Sequence, residues 1–331
     1  MDIVTDIIYT ELPTVEQERP SEAYIVGRMA FIMILACFII FGNSTTIYAV
    51  IRTKELRKMP TNIYVISLAV TDTLVGVFII CLQSVQASTT NEVIIRNSIY
   101  WARAPYYTTV IASTCTLLAI AIDRYIAIVH PLFYKRRMTP KRAILVSVAI
   151  WIAELAIAGG TSCYYGSVVP IGRILAGNLV DLLPADVYLG IVLSQICLPV
   201  IGNVIVYAAI FISIYKRKRV FQNTDNTKPD KRAAAVTKMM MLILGYLIFA
   251  WLPYFCIAPL YGYDDIKPLW YIYLSHLSII LLYTNSAVNP IIYSWMNRDF
   301  RKAYKRILTC KANMAVEVSP NNTVKVETTD M

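Results

Sequence analysis

Long apolar runs alternate with short polar segments along the chain, seven runs in all. The runs approach or exceed the roughly 20 residues that carry a helix across a bilayer. They predict helices over residues 24–51, 63–86, 98–128, 143–161, 187–215, 234–260 and 270–295. The segments after the first, third and fifth runs are basic. They hold Arg52, Lys54, Arg57 and Lys58, then Lys135, Arg136, Arg137, Lys141 and Arg142, then Lys216 to Arg219 with Lys231 and Arg232. Segments 88–97, 164–185 and 261–268 are poor in Lys and Arg, and residues 1–23 are acidic. Basic residues collect on the cytoplasmic side, so the alternation predicts an outer N-terminus and an inner C-terminus. Past the last run, Phe300, Tyr304, Ile307 and Leu308 recur at i, i+4, i+7 and i+8 among Arg301, Lys302, Lys305 and Arg306. That spacing predicts a short amphipathic helix lying on a membrane surface. The expected plan is an extracellular tail over 1–23 and a helical bundle over 24–298. A surface helix over 299–310 and a disordered cytoplasmic tail over 311–331 complete it. Residues 1–23 have no basic start, apolar core or small-residue cleavage site, so no cleavable signal is read there.

Composition strengthens this picture. Of 331 residues, 57% are hydrophobic and only 16% charged, with a mean hydropathy of +0.55. A soluble domain keeps roughly a quarter of its residues charged. The fold class is therefore an all-α membrane bundle of seven helices with a short eighth on the surface. The net charge of +10 could suggest nucleic acid, but the basic residues fall in the inner segments. The reading is no nucleic-acid partner, with membrane lipid as the contact. The seven cysteines, Cys37, Cys81, Cys115, Cys163, Cys197, Cys256 and Cys310, show no metal-ligand spacing. No nucleophile–base pair stands out, so no enzyme is expected. No internal repeat or matched pair of broken helices points to a secondary transporter. A transporter or channel is the alternative class, together with a receptor-like binding protein that does not signal.

Polar landmarks sit in these runs in a fixed order: Asn43, Asp72 in LAVTD, Asp123-Arg124-Tyr125, Trp151, Pro199, Trp251-Leu252-Pro253, and Asn289-Pro290-Ile291-Ile292-Tyr293. With them the chain resembles the rhodopsin-like (class A) G-protein-coupled receptors over about residues 24–310. The resemblance implies a plasma-membrane receptor that turns binding of an extracellular ligand into heterotrimeric G-protein activation. Arrestin and receptor kinases would be further partners. It implies that Asp123 holds Arg124 at rest, that Arg124 is released to the G protein, and that Tyr207 and Tyr293 then move inward. It makes Leu132 an apolar contact for the G protein, Trp251 part of the core switch, and Cys310 a palmitoylation site. A carboxylate at mid-membrane costs about 2.5–3.5 kcal/mol, so Asp72 must find partners inside the bundle. The resemblance offers Ser113, Asn285, Ser286 and Asn289, as a sodium site or as a water-filled polar network. The chain also departs from the family. Ile99 stands where helix 3 usually opens with a cysteine, segment 164–185 has no cysteine, and Thr114 and Leu247 replace the usual Ile and Phe of the switch. The sixth run is preceded by Lys231-Arg232, and Asp230 before them is read as lying in the loop, too early to pair with Arg124.

The implied ligand pocket lies in the outer half. Arg103, Tyr106, Tyr107 and Val110 share one helical face at i, i+3, i+4 and i+7. Amine receptors carry an aspartate at the position of Tyr106 and visual pigments a lysine at that of Tyr283, so neither an amine nor retinal is expected. Tyr188, Gln195, Trp251, Tyr254, Phe255, His276 and Tyr283 would complete an aromatic wall suited to a lipid, a small aromatic molecule or a peptide tip. Arg103 could anchor a carboxylate or phosphate, or pair with Glu92, Asp264 or Asp265. His276 could touch ligand or pack against a loop. Glu154 should point inward and find a hydrogen bond.

Overall fold

The computed structural model describes residues 20–88, 92–168, 197–221, 231–257 and 268–309. All regular structure among them is helical: α1 (Glu22–Arg52), α2 (Lys54–Arg57), α3 (Pro60–Ser88), α4 (Glu92–Val129), α5 (Pro131–Arg137), α6 (Pro140–Val168), α7 (Leu198–Phe221), α8 (Lys231–Ile257), α9 (Leu269–Met296) and α10 (Arg298–Leu308). Of the described helices, α1, α3, α4 and α7 contain stretches long and apolar enough to cross a membrane, and α8 holds a shorter apolar stretch, Met241–Ile257. In α9 the buried face carries Ser278, Ser286 and Asn289, which dilute its hydropathy without exposing polar groups to lipid.

Each of the seven runs contains a described helix, with 187–196 of the fifth run and 258–260 of the sixth outside the described residues, and several polar ends extend further than the apolar pattern. α4 starts at Glu92, six residues before the expected 98, so most of the expected loop 88–97 is helix. α6 runs to Val168 rather than 161. Apolar periodicity stops where the bilayer would stop, while backbone hydrogen bonding continues past it. The basic segment after α4 also contains a helix. Pro131 opens α5 at its first position, where the missing N–H would have no intrahelical partner. α10 begins at 298, capped by the Asn297 side chain, which accepts from the backbone N–H groups of Asp299 (2.9 Å) and Phe300 (3.4 Å).

α4 is the hub, packed against α3, α6, α7 and α8, while α1 bridges α3 and α9. Small residues allow close approach, as membrane bundles require. A Cβ on Gly76 would lie 2.7 Å from Ile40 Cγ1 and 3.1 Å from the Ala36 carbonyl oxygen, so α1 and α3 meet backbone to side chain there. A Cβ on Gly42 would lie 3.1 Å from Pro290 Cγ. Near the start of α7, the Asn203 amide donates to the Pro199 carbonyl at 2.9 Å. Between α6 and α3, the Trp151 indole donates to Ser67 Oγ at 3.2 Å. α10 is tied down by its aromatic face: Phe300 stacks on Tyr293 at 5.3 Å, and the Tyr304 hydroxyl lies 2.7 Å from Thr46 Oγ1 on α1.

Candidate functional site

Two polar constellations occupy the bundle. The first closes one end of α4. Asp123 and Arg124 are both buried, and their side chains form an ion pair through Arg124 Nη2 and Asp123 Oδ2. Arg124 Nε donates to the same oxygen at 3.1 Å. Thr61, in the first turn of α3, donates to Asp123 Oδ2 at 2.6 Å and accepts from Arg124 Nη2. Tyr134 of α5 accepts from Arg124 Nη2 at 2.9 Å and donates to Asp123 Oδ2 at 3.3 Å, with the guanidinium 5.7 Å from its ring centre. Burial pushes the Tyr134 phenol above its usual range, which keeps the hydroxyl proton in place. A buried ion pair needs such extra hydrogen bonds to offset its desolvation. Tyr125 sits edge-on to His130 at 6.5 Å, and Leu132 on α5 is 83% exposed. Thr61 and Tyr134 were not legible as partners, because no periodicity links position 61 or 134 to 123.

The second constellation surrounds Asp72 on α3. Asn289 of α9 donates to Asp72 Oδ2 at 2.8 Å. The other carboxylate oxygen, Oδ1, and Ser113 Oγ of α4 are buried with no hydrogen-bond partner. Both residues line one cavity with Asn285 and Ser286 of α9 on its polar side and Val110, Thr114, Leu247, Trp251 and Leu282 on its other side. About 10 Å³ is open there to the centre of a water-sized body, on the order of what one small guest needs. One carboxylate, two hydroxyls and an amide form the all-oxygen set that a hard monovalent cation or a water would take. No group of three His, Cys, Asp or Glu side chains able to hold a metal occurs among the described residues.

The expected aromatic wall is divided. Trp251 stacks on Phe255 at 5.4 Å and meets Tyr254 edge-on at 6.1 Å, all on α8. Tyr283 instead packs with Ile32, Ala36 and Ile39 of α1 and Val75 and Ile79 of α3. His276 turns to α1 as well, with Nδ1 3.2 Å from the Tyr24 hydroxyl and its ring stacked on Tyr24 at 5.8 Å. The family resemblance had implied one group for all five. Arg103, Tyr106 and Tyr107 lie on α4, their side chains outside the described residues, while Val110 reaches the cavity. Tyr188, Gln195 and Cys310 fall outside the described residues altogether. Tyr207 and Tyr293 are buried near the closed end, with Pro290 against Gly42. Glu154 is buried on α6 and accepts from Cys115 Sγ of α4 at 3.5 Å.

The model of the seven-transmembrane receptors of the rhodopsin family matches residues 42–293, more than half of the chain. The chain belongs to that family. It is similar to galanin receptor 2b of Danio rerio (26% identical, 88% of this chain and 78% of the relative). It is also similar to adenosine receptor A2b of Bos taurus (28% identical, 88% of this chain and 92% of the relative). Somatostatin receptor type 1 of Rattus norvegicus is 25% identical over 85% of this chain and 71% of its own length. This rhodopsin-family protein is accordingly a multi-pass membrane receptor that couples an extracellular ligand to a G protein, and it is not an enzyme.

Proposed function

We propose that the protein sits in the plasma membrane with its N-terminus outside and that the Asp123–Arg124–Thr61–Tyr134 cluster is its resting lock on the cytoplasmic side. The single observation that carries this reading is the buried Arg124, whose guanidinium is held on α3, α4 and α5. Breaking those contacts frees a cation beside exposed Leu132, a pairing of charge and apolar contact suited to a G protein. Tyr207 and Tyr293 lie buried within the same bundle, and Trp251 lines the same cavity as Asp72. The cavity's donor set fits a sodium ion, which Asp72, Ser113, Asn285 and Ser286 would hold while Asn289 fixes Asp72 Oδ2. Bound there, sodium would supply a positive charge that neutralises the carboxylate. The ligand is non-aminergic, a peptide, a small aromatic molecule or a lipid; names of similar receptors include galanin, somatostatin and adenosine. Residues 1–23 form the outer tail, 24–298 the receptor bundle, 299–310 a lipid-bound helix with Cys310 palmitoylated, and 311–331 a disordered inner tail open to receptor kinases and arrestin. The test is Arg124→Ala at matched surface expression, read across all G-protein classes with second messengers. The expected result is loss of coupling, and undiminished output would remove Arg124 from the mechanism.

A further inference from the structure

Arg28 lies seven residues into the described part of α1, on the helix face that continues through Ile32, Ala36 and Ile39. Those three are fully buried against Tyr283, Val75 and Ile79, so Arg28 is on the bundle side of α1 rather than its lipid side. Its Nε is buried and has no hydrogen-bond partner. Among the described residues, the groups in electrostatic range of its charge are Tyr24, Tyr283 and His276, and none of these is an acid. The acid on the same stretch of α1, Glu22, is exposed. Tyr24 and His276 are locked to each other through the 3.2 Å hydroxyl–Nδ1 contact, and Tyr273 closes edge-on against Tyr24 at 4.7 Å. Next to two phenols and an imidazole among the described residues, the guanidinium offers a planar fork of N–H donors. A carboxylate, phosphate or sulfate matches that fork bidentately.

We propose that Arg28, with Tyr24, Tyr283 and His276, forms a subsite between α1 and α9 for the anionic group of an aromatic or amphiphilic ligand. This subsite rests on the receptor reading above and narrows its ligand class to molecules carrying an oxyanion. It differs from Arg103 on α4, the arginine that sequence pattern singled out. A half-buried guanidinium with its Nε unpartnered gains most from a charged acceptor, because hydrogen bonds to charged groups are the stronger ones.

The same chemistry has a second source, the acids of the chain's own tail: Asp2, Asp6, Glu11, Glu16 and Glu18. The experiment separates them with purified full-length receptor in detergent, read by thermal unfolding. The probes are 4-phenylbutyrate and phenyl phosphate, with 4-phenylbutyramide as the neutral control. The expected result is dose-dependent stabilisation by both anions and little by the amide. Arg28→Gln should then raise the half-saturating concentration at least tenfold, and Arg28→Lys by less. Equal responses to anion and amide in the unmodified chain overturn the subsite, and this comparison stands even if Arg28→Gln fails to fold. An unchanged response in Arg28→Gln overturns it too. A third chain carries the five tail acids as Asn or Gln. If anions stabilise only that chain, and do so through Arg28, the tail is the occupant and the ligand assignment falls. Because this readout needs no G protein, its failure is distinguishable from a failure of coupling by Arg124.

Discussion

Asp72 has one carboxylate oxygen satisfied by Asn289 and one turned, unpartnered, into a cavity shared with Ser113. An unpaired carboxylate oxygen in a dry bundle is costly unless something fills the space. If sodium fills it, the purified receptor should unfold at a higher temperature in NaCl than in KCl of equal ionic strength. A site occupied at 100 times its dissociation constant contributes about 2.7 kcal/mol, which is several degrees for a protein of this size. Asp72→Asn should abolish the difference between the salts, and equal midpoints in the unmodified protein would leave a water network instead. Tyr134 allows a second single-residue test, since its hydroxyl bridges both members of the ion pair. Tyr134→Phe keeps the ring and removes the bridge, so ligand-independent signalling should rise, by up to about tenfold for each 1.4 kcal/mol lost. Output at or below the unmodified level would show that Thr61 and Asp123 suffice. Asp72, Asp123 and Arg124 were legible in the sequence because a charge in an apolar run is conspicuous. Thr61 and Tyr134 were not, because a hydroxyl near a helix end is ordinary until the fold shows what it meets. Arg28 was passed over for a related reason: at a span's outer end, an arginine looks like any residue reaching toward water.

Helix ends were the part of the elements that sequence could not place. Among the described residues the pattern located each long helix because burial in lipid demands an apolar run, but it gave no reason for α4 to begin at Glu92 or for α5 to form. Where side chains face water at a membrane surface, both helix and loop satisfy the backbone, and local chemistry such as Pro131 decides. Helix packing was likewise only half visible. Gly76 is one of several glycines in apolar runs, yet it alone would place a Cβ 2.7 Å from Ile40 Cγ1, while Gly159 on α6 would meet nothing within 4 Å. Gly76→Ala should therefore push α1 from α3 and lower stability by about 1–3 kcal/mol, as overpacking does. Gly159→Ala should be neutral or slightly stabilising, since alanine favours helix by up to about 1 kcal/mol. Thermal unfolding of the two variants side by side checks this, and an undamaged Gly76→Ala would mean that the interface can relax. The tie between Tyr304 and Thr46 adds a further element-scale constraint, holding α10 against α1 as well as α9.

At the scale of the whole receptor, the resting state must keep α8 against α4 so that the inner end stays closed. The hydrogen bonds that hold Arg124 come from α3, α4 and α5, and the side chains of residues 231–238 at the start of α8 lie outside the described ones. The sequence there reads Lys231-Arg232-Ala233-Ala234-Ala235, and the one nearby acid, Asp230, precedes the helix, too early to be expected to bridge to Arg124. Among the described residues, α8 is joined to α4 by apolar packing, in which Met239, Ile243 and Leu247 of α8 share one core with Leu117 and Ile120 of α4 and Tyr207 and Ile210 of α7. An exposed ion pair between α4 and α8 would contribute at most about 1 kcal/mol. Because 1.4 kcal/mol changes a two-state ratio tenfold, even that small loss enlarges the ligand-free active fraction. We therefore expect ligand-independent signalling that grows with expression level. Ala233→Glu adds an acid in the first turn of α8 and should lower that signalling several-fold at matched surface expression. Background output from the unmodified receptor would mean that the apolar core closes the cavity unaided. High output that Ala233→Glu leaves unchanged would move the cause away from the missing acid, toward the packing of Met239 and Ile243 themselves.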